Sequence, residues 1–206
     1  MGIVERKERE KAERRRSILE AAKELIKEKT FEEITMEDLA TRLELSRATL
    51  YLYFRNKAEI YLTLLTEGMD ELQEGYKKTL EQQKVSEPMD KLRSMAFVFF
   101  NFYAFNHSYF DLIVTKRAEL TRESSDEVRE AFEAAGDAVI RPLINVYNEG
   151  KEGGSFPEVP AEKMAYLLRA VGIGFAVGFR EGNLKFPEDI KVAEQLLLYG
   201  LYGPGK

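Results

Sequence analysis

Cysteine and tryptophan are missing from the 206 residues, and histidine occurs once, as His107. No disulfide framework, thiolate nucleophile or Cys-ligated zinc can be built, which fits an intracellular setting, and one imidazole makes a multi-histidine metal site equally out of reach. Proline is scarce too, at six residues, so long stretches are left open to helix. The most apolar run, Ala165–Phe179, is interrupted by Arg169 and falls short of the roughly 20 residues needed to cross a bilayer. The charged stretch from Glu5 to Arg16 holds no apolar segment and does not read as a secretory signal. No nucleophile–base pair and no phosphate-binding glycine loop can be found, and Gly172-Ile173-Gly174 lies in a helical stretch with no strand before it. The expectation is a cytoplasmic protein, not an enzyme, with no metal, no cofactor and no membrane association.

The chain does hold enough apolar residues for a real core, 44% with 11% aromatic, and its 33% of charged residues fall in short mixed runs. The net charge of -5 conceals an asymmetry. Residues 1–60 carry 14 basic against 13 acidic side chains, and the remainder carries 17 against 23. Within residues 1–16 the balance is seven basic to four acidic, with Arg14, Arg15 and Arg16 consecutive. A basic end on an acidic body suggests a face presented to a polyanion, although a solvated helix laced by pairs such as Glu10 with Arg14 explains the same residues.

Helical periodicity dominates the chain and no alternating strand pattern persists. Ile18, Ala21, Ala22, Leu25 and Ile26 form a stripe that predicts one helix over residues 6–28. Thr35-Met36-Glu37-Asp38 resembles a capping box with Asp in the usual Glu place and opens a short helix to Leu43. Ser46, a good N-cap, opens another over Arg47–Tyr53. Two short helices joined by a turn of about three residues are the helix-turn-helix signature. Leu39, Ala40, Leu43, Leu45 and Leu50 can hold the pair together, which leaves Arg47, Ala48, Thr49 and Tyr51 on the part that enters a major groove. Arg47 suits guanine, and Ala48 and Thr49 suit a thymine methyl, while Tyr51, Tyr53 and Lys57 are placed to grip phosphates. Phe54, and to a lesser degree Tyr53, can equally be core aromatics.

The stretch from Thr35 to Lys57, within ITMEDLATRLELSRATLYLYFRNKAEI, resembles the DNA-binding segment of the TetR family. The shared features are the capping Thr, the Leu-Ala pair, the Ser after the turn, the Leu-Tyr-x-Tyr-Phe string and the Asn-Lys that starts a fourth helix; the resemblance covers about residues 10–65. It implies base contacts from Arg47, Ala48, Thr49 and Tyr51, and phosphate contacts from Thr35, Tyr53 and Lys57. Two positions depart from the pattern. Glu44 stands where the turn usually has glycine, so the backbone there either avoids the left-handed region or is strained, and Thr30 replaces a common helix-ending glycine.

The rest reads as five or six longer helices, over about 56–82, 88–106, a short element at 109–117, 125–148 with a kink at Pro142, then, after a break at 150–154, 160–181 and 187–201. The expected architecture is all-α, about nine helices, with a three-helix helix-turn-helix head (1–56) joined to a C-terminal helical bundle for ligand binding and dimerisation (57–206). Residues 97–105 are aromatic around the whole circumference, so that helix lies among others and is a candidate to line a cavity. Phe99, Phe102, Tyr103, Asn106, His107, Tyr147 and Phe175 are the expected ligand contacts, with packed core as the plainer explanation for most. Val171, Gly174, Phe175, Gly178, Leu196, Leu197 and Tyr199 are the expected homodimer contacts, since dense glycine in a helix allows close approach and two reading helices about 34–36 Å apart can read a palindrome. The function expected is a ligand-responsive transcription regulator, a repressor released from a palindromic operator by an apolar small molecule. The alternative is a helical ligand- or partner-binding protein that no longer reads specific DNA.

Overall fold

Short-range helical patterning and few interruptions give eight helices and the start of a ninth among the residues that the computed structural model describes, 2–82, 86–185 and 188–192. The eight are α1 (Ile3–Glu28), α2 (Met36–Arg42), α3 (Arg47–Tyr51), α4 (Lys57–Gln82), α5 (Pro88–Phe105), α6 (His107–Glu123), α7 (Asp126–Glu152) and α8 (Ala161–Arg180). No strand occurs among the described residues. The expected last helix begins at residue 190, and the rest of it, with Leu196, Leu197 and Tyr199, lies outside the described residues.

Two compact units form, one from residues up to Gly68 with Asp111–Ala134, the other from Met69–Phe110 with the residues from Ala135 onward. In the first unit the apolar stripe of α1 is buried as expected, with Ile18 and Ala22 fully covered. The α2 cap forms as read. Thr35 Oγ1 accepts from the Asp38 N–H at 3.1 Å, and the Thr35 N–H donates back to Asp38 Oδ2 at 2.8 Å. The Lys29 ammonium, 2.7 Å from Asp38 Oδ1, and the Thr35 donors together hold the Asp38 carboxyl well below the usual carboxylate range. Helix α1 ends without a left-handed residue: Lys29 is extended, and the Thr30 N–H and hydroxyl both donate to Glu33 Oε2 at 2.9 Å. That is why a threonine serves where glycine is common.

Two sequence expectations are revised. The element after Asn106 is a full 17-residue helix, because Leu112 and Leu120 give it a buried face in the first unit. Helix α7 runs without a break through Pro142 and past Gly150 to Glu152. Gly150 is therefore a packing residue: a Cβ there would overlap the ring of Phe156, whose N–H donates to the Gly150 carbonyl at 3.1 Å.

The buried carboxylate Glu59 ties the first unit's turns together. It accepts from the Arg55 N–H at 2.9 Å and the Ser125 N–H at 3.1 Å, while Asn56 caps α4 and donates to the Glu123 carbonyl at 2.9 Å. Burial opposes its charge, but the backbone donors prevail and keep its pKa below the ordinary glutamate value.

Glu44 resolves the question posed by its missing glycine, because it takes φ 54, inside the left-handed region. Such a conformation costs a non-glycine residue about 1–2 kcal/mol, partly offset by the greater freedom of glycine in the unfolded chain. Glu44→Gly should therefore stabilise the protein by about 0.5–1 kcal/mol and raise Tm by about 2 °C in a thermal melt; an unchanged or lower Tm would contradict the strain.

Candidate nucleic-acid interface and effector cavity

Helix α3 is five residues long, and its orientation is set by what holds it at each end. The Ser46 hydroxyl accepts from the Thr49 N–H at 3.0 Å and lies 2.8 Å from the Thr49 hydroxyl. Leu50 is completely buried and Phe54, just beyond the helix, nearly so. Facing away from these anchors, Arg47, Ala48 and Tyr51 are exposed and Thr49 is half-buried. The Tyr51 hydroxyl and the Glu37 carboxylate, whose Oε2 lies 3.5 Å from Arg47 Nε, favour the charged guanidinium. The four expected base-contacting residues thus share one outward edge.

Of the three expected phosphate contacts, Thr35 and Lys57 are engaged within the head, and Tyr53 is held through its backbone. Tyr53 is half-buried, and its carbonyl accepts from Arg15 Nη1 at 3.0 Å. The Thr35 hydroxyl is already engaged, donating to Asp38 Oδ2 at 2.6 Å. Lys57 departs most from expectation. Its ammonium donates to the carbonyls of Phe31 (2.7 Å), Ile34 (2.9 Å) and Glu32 (3.4 Å) and sits 4.3 Å from the Phe31 ring centroid. Burial there lowers its pKa. Its three protons are directed at the loop between α1 and α2, so it is a strut of the head.

Two residues near the reading edge escaped the sequence reading. Arg15 lies 4.1 Å over the Phe54 ring, clamping the segment that follows α3 onto α1. Its signal was its register, one turn before Ile18 and Leu19 on the apolar stripe. Leu52 is 79% exposed between Tyr51 and Tyr53, a large apolar side chain on the same edge.

In the second unit a cavity of about 320 Å³ opens among α4, α5, α7 and α8. Its wall is overwhelmingly apolar, with Tyr76 from α4, Arg93 and Arg169 as its polar residues. Tyr76 is buried, which pushes its hydroxyl far above the ordinary phenol range. Of the expected ligand contacts, Phe99 and Phe175 line this cavity and the other five do not. Phe102 and Tyr103 pack instead against Phe110, at 6.1 and 5.0 Å between centroids. Asn106 caps α5 by donating to the Phe102 carbonyl at 3.0 Å, and His107 is exposed. Tyr147 stacks on Phe156 at 5.1 Å and donates to the Pro157 carbonyl at 3.1 Å.

Helix α8 divides its residues between two tasks. Gly172 lets the Phe99 ring approach to within 3.0 Å of where a Cβ would stand, and Gly178 admits Leu184 of the same chain, so these glycines serve packing within the protomer. Gly178 and Phe175 are thus engaged internally. Tyr166, Leu167, Ala170, Val171 and Gly174 make an exposed, mostly apolar face on the opposite side.

Residues 18–64 match the family described as bacterial regulatory proteins, tetR family. That segment is the DNA-binding region of the TetR family. The matched segment contains α2, α3, every exposed residue of the reading edge and the start of α4. The HTH-type transcriptional activator FasR of Mycolicibacterium smegmatis is 29% identical over 128 residues, 62% of this chain and 58% of FasR, so the likeness spans little more than half of that relative. The TetR-family regulator PfmR of Thermus thermophilus superposes with a TM-score of 0.72 at 26% identity, over 92% of this chain and 99% of PfmR. FadR of Bacillus subtilis, solved with stearoyl-CoA, gives 0.70 at 19% identity over 92% and 98%. The helical fold beyond the head is therefore also that of TetR-family regulators.

The placement of Lys57 makes a prediction of its own. Lys57→Met should destabilise the head by about 2 kcal/mol, since three carbonyls lose a charged donor, and lower Tm by about 5 °C. Among molecules that remain folded, the salt dependence of DNA binding should be unchanged. A variant of normal stability whose salt slope falls by about one would restore the phosphate role.

Proposed function

We propose that this TetR-family protein is a ligand-responsive DNA-binding regulator that holds a palindromic operator and is released by an amphipathic small molecule carrying an apolar chain. The observation that carries the DNA half is the exposed edge of α3, with Arg47, Ala48, Thr49 and Tyr51 presented outward on a helix anchored by Leu50 and Ser46. Arg47 supplies the bidentate donor pair suited to guanine, Ala48 and Thr49 suit a thymine methyl, and Tyr51 and Tyr53 flank the phosphates. A protein occupying a site that overlaps a promoter represses. The protein works in the cytoplasm, where the chromosome is; no helix among the described residues is long and apolar enough to cross a membrane.

The effector half rests on the α4–α5–α7–α8 cavity. Its volume is at the lower end of the range for small-molecule sites, and its apolar wall with two arginines suits an acyl chain ending in an anionic group. FadR, solved with stearoyl-CoA, shares the fold and supports that class. The functional division we adopt is a reading head of residues 1–56 and a ligand-binding and dimerising body from residue 57 onward. α4, the helix that follows the head directly in the chain, contributes Tyr76 to the cavity wall.

One experiment tests both halves. A duplex is selected from a random library by the intact protein, and its affinity is then measured with and without stearoyl-CoA. Arg47→Ala should lose about 1–3 kcal/mol of discrimination at one base position per half-site. Leu143→Trp, which fills the cavity from α7, should leave DNA binding intact and abolish release. Selection of no sequence would defeat the first half, and equal release of both proteins the second.

Dimerisation is proposed through the exposed face of α8 and the helix that begins at residue 190. Leu167, 52% exposed, stands at that face, and a carboxylate there would be buried without a partner in a twofold contact. Leu167→Glu should shift sedimentation from dimer to monomer while leaving helicity unchanged; a persistent dimer would place the contact elsewhere.

A further inference from the structure

We propose that the N-terminal half of α1, residues 5–16, is a second DNA-binding surface, in which Lys7, Lys11 and Arg14 grip backbone phosphates flanking the bases read by α3. The argument begins with helical register. Lys7, Lys11, Arg14, Ile18, Ala22 and Leu25 follow the i, i+4, i+7, i+11 spacing of a single helix face. From Ile18 onward this face is buried in the head. Before Ile18 it is exposed, and every large position on it is basic.

The acidic residues of the same segment do not neutralise the stripe. Glu10, beside Arg14 at the stripe's edge, pairs with Arg6 at 2.8 Å, and Glu13 pairs with Arg9 at 3.8 Å on the far side of the helix. Glu5 accepts from the Gly2 N–H, leaving Glu8 at the stripe's margin. Lys7, Lys11 and Arg14 enter no ion pair or hydrogen bond among the described residues. Three long cations are thus held in line over about 10 Å, alongside which B-form DNA offers one charge about every 1.7 Å of axis.

Arg15 fixes where this stripe lies with respect to the reading edge. It sits on the same side of α1, donates to the Tyr53 carbonyl at 3.0 Å and covers Phe54 at 4.1 Å, two and three residues beyond the end of α3. The basic stripe therefore runs outward from the end of the reading segment, continuous with it, and within one compact unit. An anionic membrane is the other large polyanion. An interfacial helix needs an apolar face to insert, however, and residues 5–16 contain no apolar side chain larger than Ala12.

The proposal rests on α3 reading DNA, and its test separates the two. Wild-type protein selects its duplex from a random library, and that site is then prepared both with long flanks and trimmed to the selected bases. Binding of the full-length protein is followed by anisotropy over about 50–200 mM salt. The variant Lys7→Gln/Lys11→Gln/Arg14→Gln is compared with Arg6→Gln/Arg9→Gln, which removes the same kind of charge from the paired faces. On the flanked duplex the triple variant should flatten the plot of log affinity against log salt by about 0.9 for each phosphate released, nearly three per protomer engaged, and bind at least tenfold more weakly at low salt. On the trimmed duplex wild type and triple variant should agree, and the paired-face variant should behave as wild type on both.

Equal slopes for wild type and triple variant on the flanked duplex would overturn the proposal and leave the reading helix untouched. So would an equal loss on the trimmed duplex, or a loss confined to phosphatidylserine vesicles with DNA binding unchanged. A wild-type protein that selects no sequence would overturn both readings together.

Discussion

A five-residue helix has no stability of its own in water, so the reading edge exists only because the rest of the head imposes it. Ser46 starts α3 by satisfying the Thr49 N–H, Leu50 plugs it into the core, and Phe54 follows beneath the Arg15 guanidinium. Each tie acts on a different degree of freedom: the cap fixes where the helix begins, the leucine its rotation, and the stacked phenylalanine its exit. With those set, Arg47, Ala48 and Tyr51 have little choice but to face outward.

The head's cations accordingly fall into two groups. Arg15 and Lys57 are consumed inside, on the Tyr53 carbonyl and on the carbonyls of Phe31 to Ile34. Each closes a segment whose backbone acceptors would otherwise lack partners at half-buried positions, where an unmet carbonyl costs about 1–3 kcal/mol. Arg47 and the stripe on α1 stay outside. Counting charge along the sequence cannot separate the groups, since a lysine that braces a loop and one that meets a phosphate contribute equally to the total.

How far the sequence could be read follows from the range of the interactions concerned. The capping box at Thr35–Asp38, the Ser46 cap and the inward leucines were all readable because each partner lies within four residues. The strained turn was half readable: the departure from glycine at Glu44 was visible, but which backbone conformation resulted was not. Lys57 was misjudged because its acceptors lie 23–26 residues earlier in the chain. Helix α6 was drawn too short because its buried face depends on a distant segment of the chain. On α5, a helix apolar around its whole circumference gives no direction to its residues. Phe99 lines the cavity and also meets Phe110, while Phe102, three residues on, meets Phe110 without lining the cavity.

Helix α8 shows why effector and dimer geometry need not be separate problems in the function proposed here. Val171 lines the cavity and is 37% exposed, within the face that includes Leu167. Two residues of the expected interface, Phe175 and Gly178, are occupied within the protomer, and Gly172 leaves no slack between α8 and the Phe99 ring. Close-packed interiors switch between discrete arrangements more readily than they deform smoothly. A chain larger than the existing space must therefore displace either Phe99 or α8 itself. In the dimer proposed here, a movement of α8 would be delivered directly to the twofold contact. The size of that response is limited by how much more tightly the effector binds the displaced arrangement, so a ligand that merely fills existing space would bind without releasing DNA.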